Sequence, residues 1–351
     1  MNHQLNVGLI GFGMSGRVFH APMINAVSKL RLAKVVERQK EESKRTYPWV
    51  EVVKDIDDVL NDEAIDVVAI ATPNSSHFEL TKRALLAGKH TVVDKPFTIN
   101  SHEAQQLIDL ANQTNKLLSV FQNRRWDSSF KTIQQVINLN LVGELVEYEA
   151  HFDRFKNQIK QNAWRETSEL GSGVLYDLGT HLIDQAQVLF GLPKWITADI
   201  RTQRKGGVAD DSFELILDYN QLKVTLKSGM LIRETGASFI LHGTEGSFIK
   251  YGLDPQEDAL KRGETPLNTQ NWGQEPEEEW GLLNTQLKGL HYRGKIETIA
   301  GSYQSFYQNI YDVIANDQEL IVKPEEARNT IRIIELAFES NRQKRSIEFS
   351  L

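Results

Sequence analysis

The chain has 351 residues, 40% of them hydrophobic and 25% charged, with no cysteine and a formal net charge of -7. That length is more than one hydrophobic core usually organises, so two domains are expected, and the missing cysteines exclude disulfides, thiolate catalysis and Cys-ligated zinc. The acidic balance argues against a nucleic-acid partner, which needs a basic surface, and no stretch approaches the roughly 18 apolar residues of a membrane helix.

From residue 5 to about 122, short β-branched runs alternate with helical stretches. The runs are Leu5 to Ile10, Leu32 to Val36, Ile65 to Ala71, His90 to Asp94 and Leu117 to Phe121. This alternation predicts βαβ units and a doubly wound parallel sheet. Asn100 with Glu103 reads as a capping box ahead of an apolar-periodic helix. Beyond Phe121 the pattern predicts a helix from Ser128 to Leu139, a strand from Leu145 to Phe155, a helix from Val174 to Phe190, and several strands between Ile196 and Lys250. An open mixed or antiparallel sheet with flanking helices is expected there. Residues 262–300 are polar, carry Pro266, Pro276 and the acidic run Glu275 to Glu279, and read as a long surface excursion. Helices are expected over Tyr303 to Asn316 and Glu325 to Arg342. The opening Met-Asn-His-Gln has no basic n-region and precedes only a short apolar run, so a cytoplasmic location is expected.

Gly11-Phe12-Gly13-Met14-Ser15-Gly16 follows the first strand and precedes helix-compatible sequence. In that setting the first glycine allows a tight turn, the second lets backbone approach a pyrophosphate, and the third permits close helix packing. Glu37 lies at the end of the second strand, where an acid accepts protons from both ribose hydroxyls of NAD and repels the extra phosphate of NADP. Arg38 beside it, with Lys40 and Lys44, pulls the other way. The strand ending at Ala71 runs into Thr72-Pro73-Asn74-Ser75-Ser76-His77, which places Thr72, Asn74 and His77 at a carboxyl strand end; the same stretch also reads as a proline turn with Asn74 or Ser75 as helix cap.

Val92-Val93-Asp94-Lys95-Pro96 puts Lys95 at another carboxyl strand end, where a lysine can donate to an alcohol or carbonyl oxygen. On a helix over 175–190, Asp177, His181 and Asp184 fall within about 40° of one line, opposite Leu178, Leu182, Ile183 and Ala186. That stripe reads either as a solvated face or as a histidine oriented by carboxylates for proton transfer. His151 and Asp153 share a strand face, but no third metal ligand is evident.

Val7 to Gly16, Asp94-Lys95-Pro96-Phe97 and Asp177-Leu178-Gly179-Thr180-His181 together resemble the Gfo/Idh/MocA oxidoreductase family over nearly the whole chain. Gln122 to Asp127 and Tyr251 to Glu257 are similar to a narrower branch that includes NADP-linked scyllo-inositol dehydrogenases. The resemblance implies an α/β chain with a Rossmann dinucleotide-binding domain over 1–123 and an α+β domain over 124–351 for substrate binding and homo-oligomerisation, as a dimer or tetramer. It implies that Lys95 is the lysine of the family's Glu-Lys-Pro signature, with Asp94 in place of glutamate, and that Asp177 and His181 complete the catalytic set. Asn123, Arg124, Arg154, Trp164, Tyr176 and Asp184 are the expected substrate contacts, and Gly11, Phe12, Gly13, Met14, Gly16, Glu37, Arg38, Thr72, Asn74, His77 and Lys95 the expected cofactor contacts. The expected activity is NAD(P)-dependent oxidation of a polyol or cyclic sugar-like alcohol, scyllo-inositol to its inosose being the leading case, with NAD favoured through Glu37. The alternatives are reduction of a sugar-derived carbonyl such as 1,5-anhydrofructose and an NAD(P)-sensing regulatory module. A sensor has no need of Lys95, Asp177 and His181 together.

Overall fold

The structure is a computed structural model and describes residues 4–160 and 163–351, with the side chain of Trp164 outside the description. The chain divides into two compact units. The first holds Met1–Asn123, Gln256–Trp272 and Ser302–Arg328, and the second holds Arg124–Pro255, Gly273–Gly301 and Asn329–Leu351. The excursions at 256–272 and 302–328 return to the first unit, a long-range feature that local periodicity does not carry.

Among the described residues the first unit is built on a six-stranded sheet: β1 (Leu5–Ile10), β2 (Leu30–Val36), β3 (Glu51–Val53), β4 (Val67–Ile70), β5 (His90–Val93) and β6 (Leu118–Val120). All neighbours run parallel in the order β3-β2-β1-β4-β5-β6. The order reverses between β1 and β4, and in such sheets the ligand crevice lies outside the carboxyl ends at that switch point. Every residue of β4 is buried, as a parallel strand covered on both faces requires. Strand β3, three residues long, is too short to leave a periodic signal in sequence. The helix Ser101–Thr114 starts as expected, the Asn100 side chain accepting from the Glu103 amide at 2.8 Å.

The second unit carries a nine-stranded sheet in the order β14-β13-β12-β11-β7-β10-β9-β8-β15. Its strands are β7 (Leu145–His151), β8 (Trp195–Arg201), β9 (Ser212–Tyr219), β10 (Leu222–Gly229), β11 (Phe239–Gly243), β12 (Gly246–Lys250), β13 (Gly281–Leu287), β14 (Leu290–Ile296) and β15 (Ile347–Glu348). Among the described residues only β7 and β10 pair in parallel, so the sheet is mixed. On β9 the residues Phe213, Leu215 and Leu217 alternate inward, the pattern of a sheet with one buried face.

The expected surface excursion over 262–300 is corrected by β13 and β14, which form a hairpin joined by Lys288-Gly289 at φ 49° and 85°. Both turn residues are left-handed, as a two-residue hairpin turn of matching twist demands. Asn284 and Gln286 on the outward face of β13, with Gly281 and Thr285 inward, mask its strand character from a hydrophobicity reading.

Part of the acidic run is also interior. Glu275 meets Lys250 at 3.0 Å, with the two side chains 2% and 0% exposed, and its other oxygen accepts from the Ser128 hydroxyl at 2.6 Å. The Ser128 amide in turn donates to Asp254 at 2.7 Å, capping the helix Ser128–Asn138. Breaking a buried pair on one side leaves an uncompensated charge, which costs about 3–5 kcal/mol, whereas neutralising both sides costs far less. Lys250→Met is therefore expected to lose about that much stability in urea unfolding, and Lys250→Met combined with Glu275→Gln to recover most of it.

Candidate functional site

The turn after β1 is shaped by steric limits. Gly11 sits at φ +97°, and a Cβ there would lie 2.6 Å from the Ala71 carbonyl oxygen. A Cβ on Gly16 would collide with the Gly11 carbonyl oxygen, so the helix over 14–26 approaches β1 as closely as glycine permits. Gly13 has nothing within 4 Å of the corresponding position and faces open space. Gly11, Phe12, Gly13 and Met14 line a cleft of about 930 Å³ with Thr72, Pro73, Ser75 and Ser76 on one side and Glu37 to Lys40 on the other. The first turn of the helix carries no acid, so its free amide groups favour an anion. Glycine cradle, helix start and cleft size together fit a dinucleotide.

Four expected cofactor contacts, Gly16, Asn74, His77 and Lys95, are absent from this lining. Asn74 is 6% exposed, and His77 is 1% exposed with Nδ1 at 2.8 Å from the Pro96 carbonyl and Nε2 at 3.0 Å from the Thr72 carbonyl. Burial holds the His77 imidazole below its ordinary pKa despite these acceptors. The ring thus braces the end of β4 against the segment after β5.

Glu37 lines the cleft as expected, and its carboxylate is also bound from within the chain: Oε2 accepts from the Glu42 amide at 2.9 Å, and Oε1 accepts from the Ser43 amide at 2.9 Å and from the Ser43 hydroxyl. The cause is the free N-terminus of the helix Glu42–Thr46, whose unpaired amides draw the nearest carboxylate. Exposed Arg38 and Arg17 line the cleft beside it, together with Lys40, which is paired to Glu42 at 3.0 Å.

Lys95 follows β5, and its amide donates to the Asp94 side chain at 2.8 Å. The other Asp94 oxygen accepts from the Ser15 hydroxyl at 2.5 Å. Burial alone would push the Asp94 carboxyl up, but donors on His20 and Ser15 and the Lys95 charge outweigh it and hold the pKa at about 2.

In the second unit the segment bearing Asp177 and His181 differs from a regular helix. Leu175–Gly179 is a π turn leading into the α-helix Thr180–Phe190, so one extra residue shifts Asp177 off the expected register with His181. The stripe is not a solvated face, because Thr180 through Gln187 are all buried. Asp177 pairs with Arg165 at 2.9 Å, and His181, 5% exposed, packs on Phe152 with ring centroids 6.4 Å apart. The Arg124 guanidinium lies 5.0 Å from the same Phe152 ring. Asp184 is held by a bidentate pair with Arg125 at 2.7 and 2.8 Å, with both side chains buried. Arg154 is half-buried after β7, and Asn123 is buried at the end of the first segment. Tyr176 stacks on Phe338 and lines a separate cavity of about 460 Å³ with Asp210 and Glu335. Asp210 caps the π turn by accepting from the Leu175 amide at 2.8 Å, and burial raises its pKa to about 6. Arg125 and Arg165 are the residues that sequence reading passes over. Their partners lie 59 and 12 positions away, and a lone arginine carries no local sign of such a partner.

A family model described as the NAD-binding Rossmann fold of an oxidoreductase family matches residues 5–122, and its companion, the C-terminal alpha/beta domain, matches 134–349. The chain belongs to the Gfo/Idh/MocA oxidoreductase family. It is 39% identical over 344 residues to scyllo-inositol 2-dehydrogenase (NADP(+)) IolW of Bacillus subtilis, covering 98% of this chain and 95% of that protein. It is 41% identical over 348 residues to the uncharacterized oxidoreductase YdgJ of Escherichia coli, covering 99% of both. The crystal structure of an oxidoreductase from Bacillus cereus matches with a TM-score of 0.91 at 34% identity, over 99% of each chain. Like the family, the chain is an oxidoreductase with a nicotinamide dinucleotide domain. Gly16→Ala, which forces the glycine turn open, is expected to weaken NADPH or NADH binding at least ten-fold in a fluorescence titration while leaving the circular dichroism spectrum unchanged.

Proposed function

We propose that this oxidoreductase oxidises a polyol or cyclic sugar-like alcohol, scyllo-inositol to its inosose being the leading case, and that it prefers NADP. What carries the chemical half is Lys95 at the carboxyl end of β5, an interior strand of a doubly wound sheet, with a buried carboxylate at its own amide. The substrate class rests on the full-length likeness to a relative that acts, by its name, on scyllo-inositol with NADP(+).

In oxidation His181 is the residue to accept the hydroxyl proton, Lys95 the one to donate a hydrogen bond to a substrate oxygen, and Asp177 the third member of the set. These roles follow the family signature. A bound nicotinamide supplies the hydride acceptor. Arg124, Arg154 and Asn123 offer polar groups to further hydroxyls, and a buried polar group left unpaired by a deoxy analogue discriminates against it strongly. The cofactor preference rests on Glu37. With its carboxylate taken up by residues 42 and 43, the groups left to meet the adenosine ribose are Arg38 and Arg17, which suit a 2′-phosphate.

Turnover followed by reduced-nicotinamide absorbance across inositols, deoxy-inositols, aldoses and 1,5-anhydrofructose is expected to be fastest with an inositol. In the same assay Lys95→Ala and His181→Ala should each lower kcat by about 10²- to 10⁴-fold, the usual cost of removing a positioned acid or base. Near wild-type turnover in either variant rules out its role, and preference for a carbonyl substrate moves the reading to a reductase. The cofactor half is tested by binding alone. NADPH is expected to bind more tightly than NADH, and Arg38→Ala to weaken NADPH by ten-fold or more, about 1.4 kcal/mol, with little change for NADH.

A further inference from the structure

Behind Lys95 lies a buried row of polar groups that the reaction does not use directly: Tyr307 hydrogen-bonds His20, and His20 faces the Asp94 carboxylate as an ion-pair neighbour. His20 is fully buried in the helix over 14–26, one turn after Gly16, and closes the π turn Gly16–His20. Its Nδ1 stands 2.7 Å from the hydroxyl of Tyr307, a fully buried residue on the helix Gln304–Asn316. Its Nε2 faces Asp94 Oδ1 at 3.7 Å, and among the described residues no hydrogen-bond partner lies closer to that nitrogen. Phe121, with ring centroids 4.2 Å away, closes the remaining side of the imidazole.

The proton positions follow from the partners. A carboxylate has no proton to give, so the nitrogen facing Asp94 is the protonated one, and Nδ1 accepts from the tyrosine hydroxyl. Burial and the Asp94 charge raise the Tyr307 pKa well above its ordinary value, so the phenol stays protonated and remains a donor. Asp94 meanwhile spends its two oxygens on the Ser15 hydroxyl and the Lys95 amide, which joins the start of the dinucleotide-facing helix to the residue proposed to act on substrate. The titratable and charged groups facing this carboxylate are His20 and Tyr307 from their helices, His77 from the helix His77–Leu86, and Lys95 next in the chain.

We propose that His20 and Tyr307 are positioning residues for Lys95: the tyrosine fixes the imidazole tautomer, the imidazole N–H holds the Asp94 carboxylate, and the carboxylate sets the Lys95 backbone. This rests on the reading of Lys95 as the residue that contacts substrate. Without the imidazole donor, Asp94 keeps its burial, loses part of what offsets it, and takes up a proton at higher pH. A neutral Asp94 no longer presents the same charge beside Lys95, so the loss of rate appears on the acid side of the profile.

The test compares kcat, KM and NADPH affinity from pH 5 to 9 in the wild type, His20→Phe, His20→Gln and Tyr307→Phe. Phenylalanine fills the ring volume without a donor, whereas glutamine supplies an amide N–H for Asp94 and an oxygen for Tyr307. His20→Phe is expected to lose ten-fold or more in kcat at neutral pH, with KM and NADPH affinity within about three-fold, and to lose rate more steeply than the wild type as the pH falls toward 5. His20→Gln should recover most of both, and Tyr307→Phe should fall between His20→Phe and wild type. A wild-type profile in His20→Phe, or a glutamine variant as impaired as the phenylalanine one, overturns the proposal. If His20→Phe fails to fold, Tyr307→Phe decides: an unchanged pH profile in that folded variant also overturns it. Lys95→Ala run alongside separates the two claims. Wild-type turnover there removes the reading of Lys95, while an inactive Lys95→Ala beside an unchanged His20→Phe overturns the positioning role alone.

Discussion

Close contact between the carbonyl of Gly11 and the helix that starts directly after Gly13 governs much of the first unit. Space at Gly16 admits no Cβ, so the helix is pressed onto the end of β1, and its free amides open into the cleft. The same approach delivers Ser15 to the Asp94 carboxylate and, one turn further, His20 to Tyr307. An anion cradle and the support of a strand-end lysine are thus two results of one steric fact. A looser helix would relax both together.

The second unit uses buried charge where the first uses close backbone packing. Arg204 bonds Glu166 at 2.6 Å and Asp211 at 2.9 Å, which pins the segment after Ala163 to the start of β9. Arg165 in that segment holds Asp177, while Arg125 and Asp184 lock the following helix from the other side. Buried ion pairs add little net stability, since desolvation consumes most of their attraction, but they admit few alternative geometries. The arrangement suits a site in which a carboxylate and an imidazole must be held in one orientation.

Much of this was legible from local pattern. Period-two and apolar runs marked five of the six parallel strands, the Asn100 cap appeared where the sequence placed it, and the glycine spacing named the cleft-lining turn. What stayed hidden depended on partners distant in sequence or on backbone irregularity. Glu37 stands at the position of a ribose acceptor, but its bonds to the amides of residues 42 and 43 left no mark in the sequence. The assumption of 100° per residue failed at Leu175–Gly179, where a π turn adds a residue that no composition rule announces. Polar alternation hid the β13–β14 hairpin, and Asp184, read as a substrate contact, turned out to have its carboxylate engaged by an arginine 59 positions earlier.

That hairpin has a further consequence for the sheet it extends. A nine-stranded sheet with open ends offers rows of unsatisfied amides and carbonyls to any stray extended chain, the usual seed of aggregation. At one end the last strand, β15, is only two residues long and gives such a chain little to grip. At the other, β14 is long and largely exposed, but it carries Arg293 and Lys295 two positions apart. Cations spaced in this way would face one another if two copies docked edge to edge, so the outermost strand discourages the stacking that its length invites.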